Sequence, residues 1–230
     1  MGEKARAVLE KIAAKKGWGG KEIRKFKHFA ASVAQIESLN NPQAHQSGGG
    51  PGRGKFQFEI AAGKGSGGNK VAVNRYKNFV KDNPDFKDVM TEKEWAVLNS
   101  EDPDFSLLSG DAQDVMFYVN HYAHPRHKID DTVSGKKSMR DAWLDYHWAG
   151  GDDNPDRPAR KHHWDSEMQS WETKIGGLND GGEWGDSEQD GAQDKIANVP
   201  PLAGVREEAQ AEEQVAQTRP PVDGEAGQGA

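Results

Sequence analysis

Apolar residues recur at helical spacing through roughly the first 178 positions and then stop recurring. From Lys21, the positions Ile23, Phe26, Ala30 and Val33 are three, four and three apart, which is one face of a helix. Ala5, Val8, Leu9 and Ile12 define a shorter stripe over 4–15, stopped by Gly17 and Gly19-Gly20. Further stripes run over 70–80 (Val73, Tyr76, Phe79, Val80), 109–122 (Val115, Tyr118, Val119, Tyr122) and 162–175 (Trp164, Met168, Trp171, Ile175). Thr91 opens a short helix with Trp95 and Leu98, because Glu94 stands at capping-box spacing from it. Ser138 caps another, with Met139, Ala142, Trp143 and Tyr146 inward and Gly150-Gly151 as its stop. Helices with one apolar face must bury those faces against each other, which predicts a mainly helical fold.

Two glycine-rich segments interrupt the pattern. Residues 45–59 (HQSGGGPGRGKFQFE) pass from glycine into the alternation Lys55-Phe56-Gln57-Phe58-Glu59, which predicts a short strand or hairpin arm and makes the class α+β. Residues 61–69 form a second turn, whose glycine pattern matches neither a P-loop nor a dinucleotide fingerprint. After Leu178 the chain is Gly, Asp, Glu, Gln, Pro and Ala, a composition that buries too little surface to offset chain entropy. The expected organisation is a basic N-terminal helix (1–19), a central domain (20–178) and an acidic, disordered Gly/Pro-rich tail (179–230) that orders only on a partner.

Charge separates body from tail. From Asp180 onward twelve acidic residues face three basic ones, a balance of −9, and of the chain's net −7 this leaves +2 for the residues before. Nine of the first thirty residues are Lys or Arg, but a body near neutrality gives little footprint for nucleic acid, which is not expected as a partner. Without cysteine the fold uses neither disulfides nor thiolate metal sites. No apolar run approaches the roughly 18 residues of a membrane span, and the first 16 residues lack the apolar core of a secretory signal.

One position breaks the stripe pattern. Four residues after Val33, on the face that should be buried, stands Glu37, just before Asn40-Asn41-Pro42 ends the helix. A desolvated carboxyl group favours its protonated form, the form a general acid needs. Periodicity leaves open the alternative that Glu37 swings off the helix end into solvent or an ion pair.

The segment Ile36-Glu37-Ser38-Leu39-Asn40-Asn41-Pro42-Gln43-Ala44 resembles the helix end of the lysozyme-like lytic transglycosylases, in which Glu-Ser precedes Asn-Pro and Ala. Gly52 to Glu59 is similar to the Gly-Leu-Met-Gln segment of that family, with Gln57 at the glutamine and Lys55-Phe56 in place of Leu-Met. Leu144 to Gly151 resembles its Ala-Tyr-Asn-Ala-Gly-Pro segment, with His147 at the tyrosine, Trp148 at the asparagine and Gly151 at the proline. The three pieces follow the family order across about residues 20–151.

The resemblance implies a lysozyme-like fold and a peptidoglycan lytic transglycosylase that cleaves the bond between N-acetylmuramic acid (MurNAc) and N-acetylglucosamine (GlcNAc), with Glu37 as acid and base and no cofactor. It also implies a phage virion setting, in which such a domain locally opens the host cell wall, reached through the periplasm, during genome entry. Peptidoglycan glycan strands would be the substrate, and other virion proteins would be partners through the tail. The alternative is a structural or ejection protein of the particle that keeps the fold as a binding module.

Lysozyme-type hydrolysis would need a second carboxylate at a defined separation. Glu59, at the strand end, is the better candidate and Asp145 the other. Ser38 and Gln57 carry neutral groups suited to hydrogen-bonding a sugar, Tyr146 an aromatic face suited to stacking on one, and His147 and Trp148 fall where the family contacts substrate. His121, His124 and His127, with Asp152-Asp153 and His162-His163, are the one set suggestive of zinc. Pro125 prevents the three histidines from sharing a helical face, and no metal is expected.

Overall fold

The structure, a computed structural model, describes residues 1–60, 68–147 and 154–175, the last six by backbone alone. Most of the expected turn at 61–69, Trp148, the Gly150-Gly151 stop, Asp152-Asp153 and the 179–230 tail lie outside the described residues. Among the described residues eight α-helices and one two-stranded antiparallel sheet make a mainly helical α+β fold. No helix there is long and apolar enough to cross a membrane.

The helix at the centre is α5 (Gly110–Tyr122), capped by the Ser109 hydroxyl, which accepts from the Ala112 N–H. The expected stripe underestimates its burial, since every residue from Ala112 to His121 is buried. A helix enclosed on all sides must satisfy its polar side chains internally. Gln113 and Asp114 bind the hairpin, Asn120 accepts from Arg75, and His121 pairs with His127. Helices α1 (Glu3–Lys16) and α3 (Gly68–Asp82) pack against α5. Ala5, Val8, Leu9 and Ile12 of α1 sit in the same core as Phe26, Phe29 and Phe117. The α1 N-terminus is capped from afar, because the Asp111 carboxylate accepts from the N–H groups of Lys4 and Ala5.

Glu94 joins three elements. It closes the Thr91 capping box of α4 (Glu92–Leu98), accepts from Lys4 of α1 and accepts from Ser109 at the head of α5.

Helix α2 (Gly20–Ser38) carries the stripe that ends in Glu37. Leu39 (φ 54°) and Asn40 (φ 61°) both turn left-handed, and their N–H groups donate to Gln35 and Ala34, closing the helix two residues ahead of Pro42. Leucine in this region is strained by about 1–2 kcal/mol, and the strain sits two residues from Glu37.

Strands β1 (Gly52–Arg53) and β2 (Phe58–Glu59) pair Gly52 with Glu59 and Arg53 with Phe58. Three contacts dock this hairpin. Gln113 accepts from the Lys55 N–H at 2.6 Å and donates to the Pro42 carbonyl at 2.8 Å, Lys55 pairs with Asp114 at 2.7 Å, and Ser38 Oγ donates to the Lys55 carbonyl at 2.7 Å. Gly54 passes so close to Gln113 that a Cβ there would lie 2.5 Å from its Oε1.

The remaining helices are α6 (Ile129–Ser134), α7 (Met139–Ala142) and α8 (Arg157–Ile175). Sequence periodicity does not reveal α6, six residues long, and places the start of α8 at His162 rather than Arg157. Ser138 caps α7 as expected. That helix runs on into one π-helical turn, Trp143–His147, a widened turn that often marks a functional position. Helices α6 and α8 both pack on α2.

Candidate active site

Glu37 stays in the α2 stripe and does not swing into solvent. Its side chain is 14% exposed, and Oε1 accepts a 2.6 Å hydrogen bond from the indole N–H of Trp143, a residue with no exposure at all. The π-helical turn also brings up His147, whose Nε2 lies 4.0 Å from the same oxygen and donates to the Phe56 carbonyl at 2.8 Å. Phe56 stacks on Phe117 of α5 at 4.3 Å, so the carbonyl that orients His147 is fixed by the core. Three segments distant in sequence thus converge: the end of α2, the hairpin turn and the π-helical turn.

The His147 tautomer follows from its partner. A carbonyl only accepts, so Nε2 carries the proton. Burial pushes the pKa of His147 below the usual histidine value, against the opposing pull of Glu37 and Phe56, which keeps the ring neutral. Its Nδ1 is buried without a hydrogen-bond partner among the described residues.

The other expected site residues fall differently. Ser38 is adjacent, but its hydroxyl donates to the Lys55 carbonyl and accepts from the Asn41 N–H, so it staples the helix end to the hairpin instead of facing a sugar. Gln57 sits left-handed (φ 47°), with its amide donating to the Gly54 carbonyl at 2.8 Å, and so holds the hairpin turn. Tyr146 stacks on His127 at 4.2 Å and carries Lys137 over its ring, which engages it inside the protein. Glu59 is exposed, and no described residue bonds its carboxylate. Asp145 is clamped between Lys137 and Arg157; burial pushes its pKa up, but these two hydrogen bonds outweigh that and hold it below the ordinary carboxylate value.

The contribution of Trp143 was missed at the sequence level, where it counted as core. A fully buried tryptophan still needs an acceptor for its N–H, and that requirement was the available signal.

Behind the site lies a histidine cluster. His121 Nδ1 and His127 Nδ1 share a 2.8 Å hydrogen bond, His127 Nε2 meets Thr132 Oγ1 at 3.1 Å, and His124 Nδ1 accepts from the Arg126 and His127 N–H groups. Burial, the main cause in each case, lowers the pKa of His124 to about 4, that of His127 to about 3 and that of His121 well below the ordinary value. Among the described residues no group of three side chains is arranged to hold a metal ion. A recess of about 350 Å³ lined by His28, Ser32, Ser138, Met139, Trp164 and further residues does not include Glu37.

No family model, curated protein or solved structure matches the chain.

Proposed function

We propose that the protein is a peptidoglycan lytic transglycosylase on a lysozyme-like fold, with Glu37 as its acid and base. The observation that carries this reading is the setting of Glu37: a mostly buried carboxyl group at a helix end, held by the indole N–H of Trp143 and flanked by a docked hairpin. The local resemblance of 36–44, 52–59 and 144–151 to that family points the same way.

In this reading Glu37 protonates the glycosidic oxygen as the C1–O bond breaks and that oxygen takes the bonding pair. The substrate's acetamido oxygen then bonds to C1, so no enzymic nucleophile is required. The Glu37 carboxylate takes the proton of the C6 hydroxyl, whose oxygen attacks C1 and displaces the acetamido oxygen, leaving a 1,6-anhydro end. Glu59 is exposed and Asp145 is engaged by Lys137 and Arg157, so neither stands ready as the second carboxylate that hydrolysis needs, which favours this route. The test is digestion of purified peptidoglycan with mass analysis of the released muropeptides. Anhydro products are expected, whereas reducing-end products would move the mechanism to hydrolysis.

We place this activity in a phage virion, acting on the host cell wall during genome entry. Mass spectrometry of purified particles tests that setting, and abundance in lysates with absence from particles would contradict it. The second reading, a catalytically silent virion module, draws on the internal commitments of Ser38, Gln57 and Tyr146, which leave few of the expected sugar contacts free. Wall binding without any muropeptide release would favour it.

A further inference from the structure

The two oxygens of Glu37 are not equivalent. Oε1 accepts from Trp143 and lies 4.0 Å from His147. Oε2 meets no hydrogen-bonding group among the described residues. An indole N–H donates and cannot accept. In a protonated carboxyl group the carbonyl oxygen is the better acceptor, so a proton on Oε1 would weaken the 2.6 Å bond from the indole, and protonated Glu37 keeps its hydrogen on Oε2. The indole cannot turn to relieve this, because Trp143 is fully buried and its ring packs on Trp164 at 5.3 Å. His147 does not compete for Oε1, because its Nε2 proton is committed to the Phe56 carbonyl.

We propose that Trp143 is a positioning residue: by occupying Oε1 it assigns Oε2 as the atom that delivers the proton to the glycosidic oxygen and later receives one. This rests on the transglycosylase reading of Glu37. Trp143 has a second effect, because its hydrogen bond strengthens as Glu37 ionises and so favours the carboxylate left by the first step. The neutral state of His147 means that it adds no charge change of its own near neutral pH.

The test replaces Trp143 in the full chain by 3-benzothienyl-alanine, which keeps the bicyclic shape and has a sulfur in place of the N–H. Trp143→Phe serves as a coarser second variant, with thermal unfolding as the check on folding. Muropeptide release is followed against pH. The pH profile of release is expected to differ between the two proteins, because in the benzothienyl variant the carboxylate left by the first step lacks one charge-assisted hydrogen bond. Release at the optimum is expected to fall roughly tenfold to a hundredfold from the lost orientation. Independently of activity, the indole N–H resonance of Trp143 in the ¹⁵N-labelled wild type is expected to move with pH in one transition that Glu37→Gln abolishes.

An indole resonance blind to pH, with an unmoved profile in the benzothienyl variant, would overturn the proposal and leave Trp143 as core packing. A resonance that follows Glu37 in a wild type that releases no muropeptides would instead overturn the enzymatic reading, and the delivery role with it, while the hydrogen bond stands.

Discussion

Acidification from pH 7 to pH 5 should destabilise this protein through its buried histidines, against an opposing contribution from Asp114, whose pKa is raised by burial. His127 is 4% exposed and its pKa in the fold is about 3, against about 6.5 in an unfolded chain. Between those values the unfolded chain binds a proton that the folded one refuses, so stability falls as the pH drops through about 6.5 toward about 3. At pH 5 the loss from His127 alone is about 2 kcal/mol, near one and a half pH units at 1.36 kcal/mol each. His121, His124 and His147 are shifted in the same direction and add to it. Glu94, held near 2 by Lys4, Ser109 and Thr91 against the upward push of burial, loses its contribution only between about 4.5 and 2 and stays silent in this window. For a domain of this size 2 kcal/mol corresponds to a fall of roughly 4–8 °C in Tm. Thermal unfolding followed by circular dichroism at pH 7, 6 and 5 reads this out, with His127→Phe as the control that removes one titrating ring. The variant should be less stable at pH 7, having left His121 Nδ1 unpaired, yet show a smaller drop on acidification. An undiminished drop would refute the assignment of His127 as a neutral buried base.

Two further substitutions test how the site is held. Gly54→Ala forces a side chain into a left-handed position (φ 75°) and against Gln113, so urea unfolding should show a loss of about 2 kcal/mol or more; wild-type stability would contradict the docking of the hairpin on α5. Glu94→Gln leaves Lys4 without its charged partner at the junction of α1, α4 and α5 and should cost about 2–3 kcal/mol by the same assay, whereas a neutral outcome would mean that these helices hold without the junction.

Much of the helical framework could be read in advance where a capping residue and a stripe coincided. Thr91 and Ser138 each cap the helix that the spacing assigned to them, and Ser109, where the 109–122 stripe began, caps α5. Helix α6 escaped because six residues hold too little periodic signal; packing of Ile129, Thr132 and Val133 sustains it. The first turn of α8 escaped because it contains Pro158, which costs nothing where the N–H has no helical partner anyway. At the site, the stripe ending in Glu37 was legible because a side chain four residues past Val33 must share its face. The π-helical turn was not, since a widened turn lies outside a 3.6-residue period, and with it went the meeting of Trp143 and His147 with Glu37. Ser38 and Gln57 were read as sugar ligands because their chemistry allows it. Only the fold brings the Lys55 and Gly54 carbonyls within reach of them.

The most direct test of the central claim compares purified peptidoglycan digested by the wild-type chain and by Glu37→Gln, with mass analysis of the soluble products. The variant keeps an acceptor oxygen for Trp143 and loses only the transferable proton. Anhydro-muropeptides from the wild type and none from the variant are expected; equal release by both, or none from a wild type that still binds the wall, would contradict Glu37 as the acid.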